Sequence, residues 1–279
     1  MARQDEIMDI ARQTGRVNVN ELAERFGVSS QTIRKDLNEL CDHQLLERVH
    51  GGAVVASSVE NLAYEARRKI AEAEKRKIGR ATAALIPDAS SLFINIGTTT
   101  EEVANALKQH AELLVITNNL HVATMLYPLE GIDVVVAGGA VRRSDGGVVG
   151  ALTVELIKQF KVDYAIIGAS AIDADGALLD FDLSEIQVAR AIMANARTVV
   201  LVSDSSKFGR LAPARIGHLR DVDIFVTDRV PSVAIRELCV QEGVRLIETA
   251  SEPTPQPQNS EPVQPGAQDP GIAASKAAR

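Results

Sequence analysis

Hydrophobic positions in the first 56 residues recur at the spacing of short helices. Ile7, Ile10 and Ala11 form one stripe, and Gly15 ends the helix that carries it. Leu22, Ala23 and Phe26 form the next, and Gly27-Val28-Ser29 has the length of the tight turn in a helix-turn-helix. Ser29 or Ser30 can cap a third helix. At about 100° per residue, that helix gathers Ile33, Leu37 and Leu40 on one face and Gln31, Arg34, Lys35 and Asn38 on the opposite one. The run LLERVHGGAVV then places two β-prone stretches on either side of His50-Gly51-Gly52, the pattern of a hairpin wing.

From Leu85 onward the pattern changes. Short apolar runs recur between helical segments: SLFIN, LLVIT, DVVVA, DYAIIG, TVVLVSD, DIFVTD and VRLIE. Most precede a stretch with helical spacing, such as 101–109 or 183–196, and this alternation predicts a mostly parallel sheet covered on both faces. The expected architecture is therefore α/β: a winged helix-turn-helix over 1–56, a linker and connecting helix over 57–74, and a sensor-like domain over 75–249. Beyond that, 250–279 is rich in Pro, Gln, Ala and Ser and is expected to be a disordered tail.

Charge limits what the small module can do. The whole chain carries a formal net charge of −7, which argues against nonspecific coating of nucleic acid. Through Ala56 the basic residues are Arg3, Arg12, Arg16, Arg25, Arg34, Lys35 and Arg48, seven against nine acidic ones. Yet Asp36 and Glu39 fall to one side of the third helix, away from Arg34 and Lys35. The polar face thus reads as a major-groove surface: Arg and Lys suit guanine edges or phosphates, Gln and Asn suit adenine edges, and Ser30 and Thr32 flank them. Arg48 and His50 on the wing are placed for backbone or minor-groove contact. A three-helix interaction module with a merely solvated polar face is the alternative. No apolar run approaches the roughly 20 residues of a membrane helix. With Cys41 and Cys239 far apart and no signal-peptide pattern, the expectation is a cytosolic, reduced protein.

In the larger domain, a strand over 91–95 leads into Gly97-Thr98-Thr99-Thr100 and a helix from about Glu101. Gly lets backbone approach a ligand, hydroxyls donate, and a helix N-terminus favours an anion, so the turn can cradle a phosphate or simply cap the helix. Further polar clusters follow strand ends: Thr117-Asn118-Asn119, Gly138-Gly139 with Arg142 and Arg143, Ser170 to Asp173-Ala-Asp175-Gly176, and Asp204-Ser-Ser-Lys207. Each is also an ordinary turn or cap. Neither GxGxxG nor GxxxxGK[ST] occurs, so dinucleotide and nucleotide-hydrolase readings lose their main support and no cofactor is expected.

The stretch VNVNELAERFGVSSQTIRKDLNELCDHQLLERVHGGA resembles the signature of DeoR-type transcription regulators, with Arg34, Lys35 and Asp36 at its motif positions and a His-Gly-Gly wing. The resemblance continues through LFINIGTT, TNNLHVA, RRSDGGVVGALTVELIKQF, IDADGALLDFDLSEI and SDSSKFGR. It implies a sensor fold similar to those of ribose-5-phosphate isomerase and CoA transferases. These stretches look closest to family members that govern glycerol 3-phosphate metabolism. By that likeness the protein is a repressor, not an enzyme, and the effector is sn-glycerol 3-phosphate, held by Gly97, Thr98, Thr99, Asn119, Gly138, Gly139 and Lys207. Arg142 and Asp173 join them as strand-end candidates. One departure is Asn95, where the family commonly has Asp. Effector binding releases double-stranded operator DNA, which requires a homo-oligomer, at least a dimer. The competing readings are a sugar-phosphate isomerase-like enzyme using Asp173, Asp175, Glu185 and Lys207, a regulator answering to another sugar phosphate, and an activator or architectural DNA binder.

Overall fold

A computed structural model describes residues 2–14, 16–42, 45–49, 51–55 and 64–251. Gly15, His50, residues 57–63 of the expected linker and the tail beyond Ser251 lie outside the described residues.

The N-terminal unit comprises α1 (Ala2–Thr14), β1 (Arg16–Asn18), α2 (Val19–Phe26), α3 (Ser30–Asp42), β2 (Leu46–Val49) and β3 (Gly52–Val55). Ile7, Ala11, Leu22, Ile33, Leu37 and Leu40 meet in one core, together with Val17, Leu46 and Ala53. Asn18 caps α2 by accepting from Asn20 N, and Gly27 ends it in the left-handed region at φ 62°. The wing is the antiparallel β2–β3 hairpin, and β1 completes a three-stranded sheet in the order β1-β3-β2. Strand β1 was not among the sequence expectations. Gly52 makes it possible, because a Cβ there would lie 2.0 Å from Val17 O.

The larger unit opens with two helices, α4 (Tyr64–Lys69) and α5 (Glu72–Ala83). It continues with β4 (Ser91–Ile94), α6 (Thr98–Ala106), β5 (Leu113–Thr117), α7 (Leu120–Leu126), β6 (Ile132–Val136), β7 (Ala140–Val141), β8 (Val148–Val149) and α8 (Ala151–Ile157). Next come β9 (Val162–Ile167), β10 (Ala171–Ile172), β11 (Ala177–Asp180), α9 (Leu183–Ala194), β12 (Ala196–Val202) and β13 (Ala214–His218). The unit closes with β14 (Ile224–Thr227), α10 (Val233–Gln241) and β15 (Arg245–Glu248).

Every one of the seven apolar runs becomes a strand of a seven-stranded parallel sheet, ordered β15-β14-β12-β9-β4-β5-β6. Alternate residues face opposite layers. Leu92 and Ile94 pack with Ile78, Val103, Leu107 and Val122 on one side. Phe93 packs with Ile157, Ile186, Ile192 and Phe225 on the other. The chain runs outward from β4 through β5 to β6, then returns to the far side of β4 and runs outward through β9, β12, β14 and β15. The winding therefore reverses between β4 and β9, and a crevice opens beyond the carboxyl ends of those two strands. The antiparallel set β10-β11-β13 and the pair β7-β8 were not expected from sequence. Among the described residues no helix is long and apolar enough to cross a membrane.

Candidate nucleic-acid interface and anion cleft

Helix α3 is preceded by Ser29, whose hydroxyl accepts from Thr32 N at 3.1 Å and bonds Thr32 Oγ1 at 2.8 Å. The Ser30 hydroxyl donates to Asn20 Oδ1 at 3.4 Å, so Ser30 ties together the two helices of the motif while Thr32 closes the first turn of α3. Gln31, Arg34, Lys35 and Asn38 are all exposed, opposite the buried Ile33, Leu37 and Leu40. Of the three acidic residues of α3, Asp36 and Glu39 are held by α1, while Asp42 in the last turn is exposed. Asp36, 7% exposed, accepts a two-pronged bond from Arg3 at 2.6 and 3.1 Å, and Glu39 accepts from Gln4 at 2.6 Å. Helix α1 thus neutralises Asp36 and ties down Glu39, and the outward face keeps Arg34 and Lys35, which have no ion-pair partner among the described residues. Arg48 is exposed on the wing strand β2.

In the larger unit, a cleft of about 400 Å³, open solvent at its mouth included, lies where the winding of the sheet reverses. Residues 96–100 after β4, 168–170 after β9, Val202 at the end of β12 and Ser203 and Lys207 beyond it line it, with Arg67, Asp180 and Glu185. Gly97 sits at φ 152°, and a Cβ there would come within 3.3 Å of Thr100 Oγ1. That hydroxyl is 2.7 Å from both Asn95 O and Gly97 O and fixes the turn. The first N–H groups of α6, at Thr98 to Thr100, have no carbonyl partner within their helix and carry its positive end into the cleft. Glu101 would oppose an anion there, but both its oxygens are engaged, by Tyr64 Oη at 2.7 Å and Asn119 Nδ2 at 3.0 Å.

Two cations complete this end. Burial pushes the Lys207 ammonium down to about 7; Asp204 opposes the shift, while the positive charges of Arg210, Lys75 and Arg67 add to it. Arg67, reaching in from α4, pairs with Asp145 at 3.1 Å, and its Nε is buried without a hydrogen-bond partner. Behind them Lys75 donates to Arg67 O and Ile70 O and lies 3.8 Å from the buried Asp204 carboxylate. Burial alone would raise the Asp204 carboxyl, but Lys207 and Lys75 outweigh it and hold it below the usual range.

The opposite wall is acidic. Asp180 is buried at the end of β11. Glu185 is pushed up to about 7 by burial and by Asp180, with Arg142 opposing. A cleft cationic at one end and carboxylate-lined at the other suits an anionic head joined to a hydroxyl-bearing tail.

Of the effector-site residues expected from sequence, the structure brings Gly97, Thr98, Thr99 and Lys207 together around this cleft. The others lie apart. Asn119 caps α7 through Oδ1, which accepts from His121 N at 2.9 Å, and reaches the cleft only through Glu101. Gly138 and Gly139 follow the edge strand β6, with Gly138 O bonded to the Thr153 hydroxyl at 2.8 Å. Arg142 is consumed by Asp145, Asp182 and Glu185. Asp173 is exposed in the β10–β11 turn, where Asp175 pairs loosely with Arg215 at 3.6 Å. Asn95 is buried with Oδ1 unpartnered. Sequence reasoning missed Arg67 and Asp180 as cleft residues.

The model of the DeoR C-terminal sensor domain matches residues 70–229, and that of the DeoR-like helix-turn-helix domain matches residues 3–59. The chain is 44% identical over 244 residues to the glycerol-3-phosphate regulon repressor of Escherichia coli K12, covering 88% of this chain and 97% of that one. It is 46% identical over 240 residues to the glycerol-3-phosphate regulon repressor of Haemophilus influenzae, covering 86% and 94%. Among solved structures, ribose 5-phosphate isomerase A of Methanocaldococcus jannaschii matches 50% of this chain and 55% of its own, with a TM-score of 0.37 and 16% identity.

Proposed function

The chain belongs to the DeoR family of transcription regulators and is a DNA-binding repressor, and from that premise we propose that sn-glycerol 3-phosphate is the effector that releases it from operator DNA. The observation that carries the proposal is the two-ended cleft. The phosphate lies against the N-terminal turn of α6, held by the N–H groups of Thr98 to Thr100, by Lys207 and by Arg67, whose unpartnered Nε gains an acceptor. The glycerol hydroxyls face Asp180 and Glu185, which accept from them and repel a second negative charge. Compounds with an uncharged polyol tail are thereby preferred over those with a carboxylate.

The DNA-reading residues are Gln31, Arg34, Lys35 and Asn38, with Ser30, Thr32, Arg48 and His50 flanking them. The division into 1–56, 57–74 and 75–249 assigns these to one unit and the effector to another. Release requires that the effector favour a sensor state in which paired winged helices no longer fit two half-sites about 34 Å apart, so the repressor acts as a homo-oligomer. Arg67 lies on α4, the first described helix after the wing, so an anion that draws on Arg67 pulls on the connection itself. The protein works in the cytoplasm, where its DNA partner is.

Thermal denaturation tests this. A ligand of the native state at 100 times its Kd adds about 2.7 kcal/mol. sn-Glycerol 3-phosphate should raise the melting temperature, and glycerol and 3-phosphoglycerate should not. Stabilisation by 3-phosphoglycerate equal to that by glycerol 3-phosphate would reject the reading of the acidic wall.

A further inference from the structure

The N-terminal unit is an unusual partner for a polyanion, since through Ala56 it has seven basic residues against nine acidic ones. Arg34 and Lys35 supply local attraction, but affinity for duplex DNA comes mainly from phosphate contacts. The charge missing from the reading unit is found immediately after it. Over 64–80 the chain carries Arg67, Arg68, Lys69, Lys75, Arg76, Lys77 and Arg80 against Glu65, Glu72 and Glu74, in a protein of net charge −7.

Two of these cations are turned inward: Arg67 lines the effector cleft, and Lys75 is buried behind it. The remaining five are exposed. Helix α5 buries Ile78, Gly79, Thr82 and Ala83 on its inner side, and Arg76, Lys77 and Arg80 fall within an arc of about 100° on its outer side. Arg76 is held by Glu72, whereas Lys69, Lys77 and Arg80 have no carboxylate partner among the described residues. Such a face is costly to keep unless something anionic meets it, because like charges on adjacent turns repel.

We propose that the outer face of α4 and α5, chiefly Lys69, Lys77 and Arg80, is a second DNA-contacting surface that binds the phosphate backbone flanking the operator. Eight residues, 56–63, separate β3 from α4, so Val55 and Tyr64 are nine residue steps apart and at most about 32 Å from one another. That span is shorter than one turn of duplex, so the backbone beside the bases read by α3 lies within reach. Contacts of this kind carry no sequence information: they set affinity and salt dependence, and base selection stays with α3.

The test uses the full-length protein and two fluorescent duplexes, one enriched by the wild-type protein from a random-sequence pool and one a scramble of it. Affinities are measured by anisotropy across a series of KCl concentrations. The variant Lys69→Gln/Lys77→Gln/Arg80→Gln should flatten the dependence of log Kd on log salt by about 2.7 for each protomer that reaches flanking phosphates, at about 0.9 per contact. Its discrimination between the two duplexes should stay at the wild-type ratio. Glu72→Gln, which frees Arg76, should steepen the salt dependence. Thermal shifts with sn-glycerol 3-phosphate matching those of wild type would show that both variants retain the folded sensor. An unchanged salt slope in the triple variant, or a lost discrimination ratio with the slope intact, would overturn the proposal.

Discussion

Replacing Lys207 by Met removes one charge and keeps most of the side-chain volume, so its effects should isolate the electrostatics of the cleft. With the ammonium depressed from 10.5 to about 7, the folded protein holds Lys207 at a penalty. At about 1.36 kcal/mol per pKa unit a sealed site would cost about 5 kcal/mol; Lys207 retains some solvent at the cleft mouth, so about 2 kcal/mol is the appropriate size. Because the folded pKa lies below the unfolded one, the penalty is complete below pH 7 and fades as pH climbs from 7 towards 10.5. Lys207→Met should therefore melt about 4–8 °C higher than wild type at pH 6.5, with the gap closing at high pH. Effector binding reverses the sign. A phosphate dianion raises the Lys207 pKa, so wild type should take up a proton on binding above pH 7 and lose affinity as pH rises, by no more than about tenfold per unit. Lys207→Met should bind sn-glycerol 3-phosphate about 10- to 100-fold more weakly, the loss of a charged hydrogen bond, and show no proton uptake from this site. Calorimetry at pH 7.5 in two buffers of different ionisation enthalpy reads the uptake, and a thermal scan reads the stability. A variant with wild-type melting at pH 6.5 and undiminished effector affinity would refute the reasoning.

Other substitutions probe the remaining parts of the account. Arg34→Ala should cost about 1–3 kcal/mol on an enriched duplex and much less on a scrambled one, and equal losses on both would exclude a base contact. Gly52→Ala drives a Cβ into Val17 O and should destabilise the N-terminal unit by about 1–3 kcal/mol with matching loss of DNA binding; unaltered unfolding would contradict the close approach of β1 to β3. Asp180→Asn removes a charge that raises the Glu185 carboxyl, so Glu185 should titrate lower, and 3-phosphoglycerate should begin to stabilise the protein in thermal scans. Continued exclusion of 3-phosphoglycerate would place selectivity elsewhere.

The large sheet was legible because each of its strands is a continuous apolar run, as burial on both faces demands. The small strands were not. Segments such as Ala171–Ile172 and Val148–Val149 are too short for alternation to register, and their pairing is set by tertiary contact. Strand β1 left a readable trace: Val17 and Val19 are buried between exposed Asn18 and Asn20, a period of two inside a stretch otherwise read as helical. On α3 the wheel set Asp36 and Glu39 to one side, but it did not reveal that Arg3 and Gln4 hold them there.

For the cleft, the Gly97 to Thr99 turn and Lys207 were visible because each directly follows a strand. Arg67 arrives from the connecting helix, far from any strand end, and Asp180 closes a short strand of the antiparallel layer, so neither carried a local signal. Conversely, Arg142 and Asn119 looked like ligand groups by type and position. The fold spends them on three carboxylates and on a helix cap.

The central claim is most directly tested by titrating sn-glycerol 3-phosphate into the complex of the full-length protein with its enriched, labelled duplex, while following anisotropy. The account predicts dissociation by the phosphate ester at concentrations where glycerol and inorganic phosphate leave the complex intact. A complex indifferent to the ester, or released equally by phosphate alone, would contradict it.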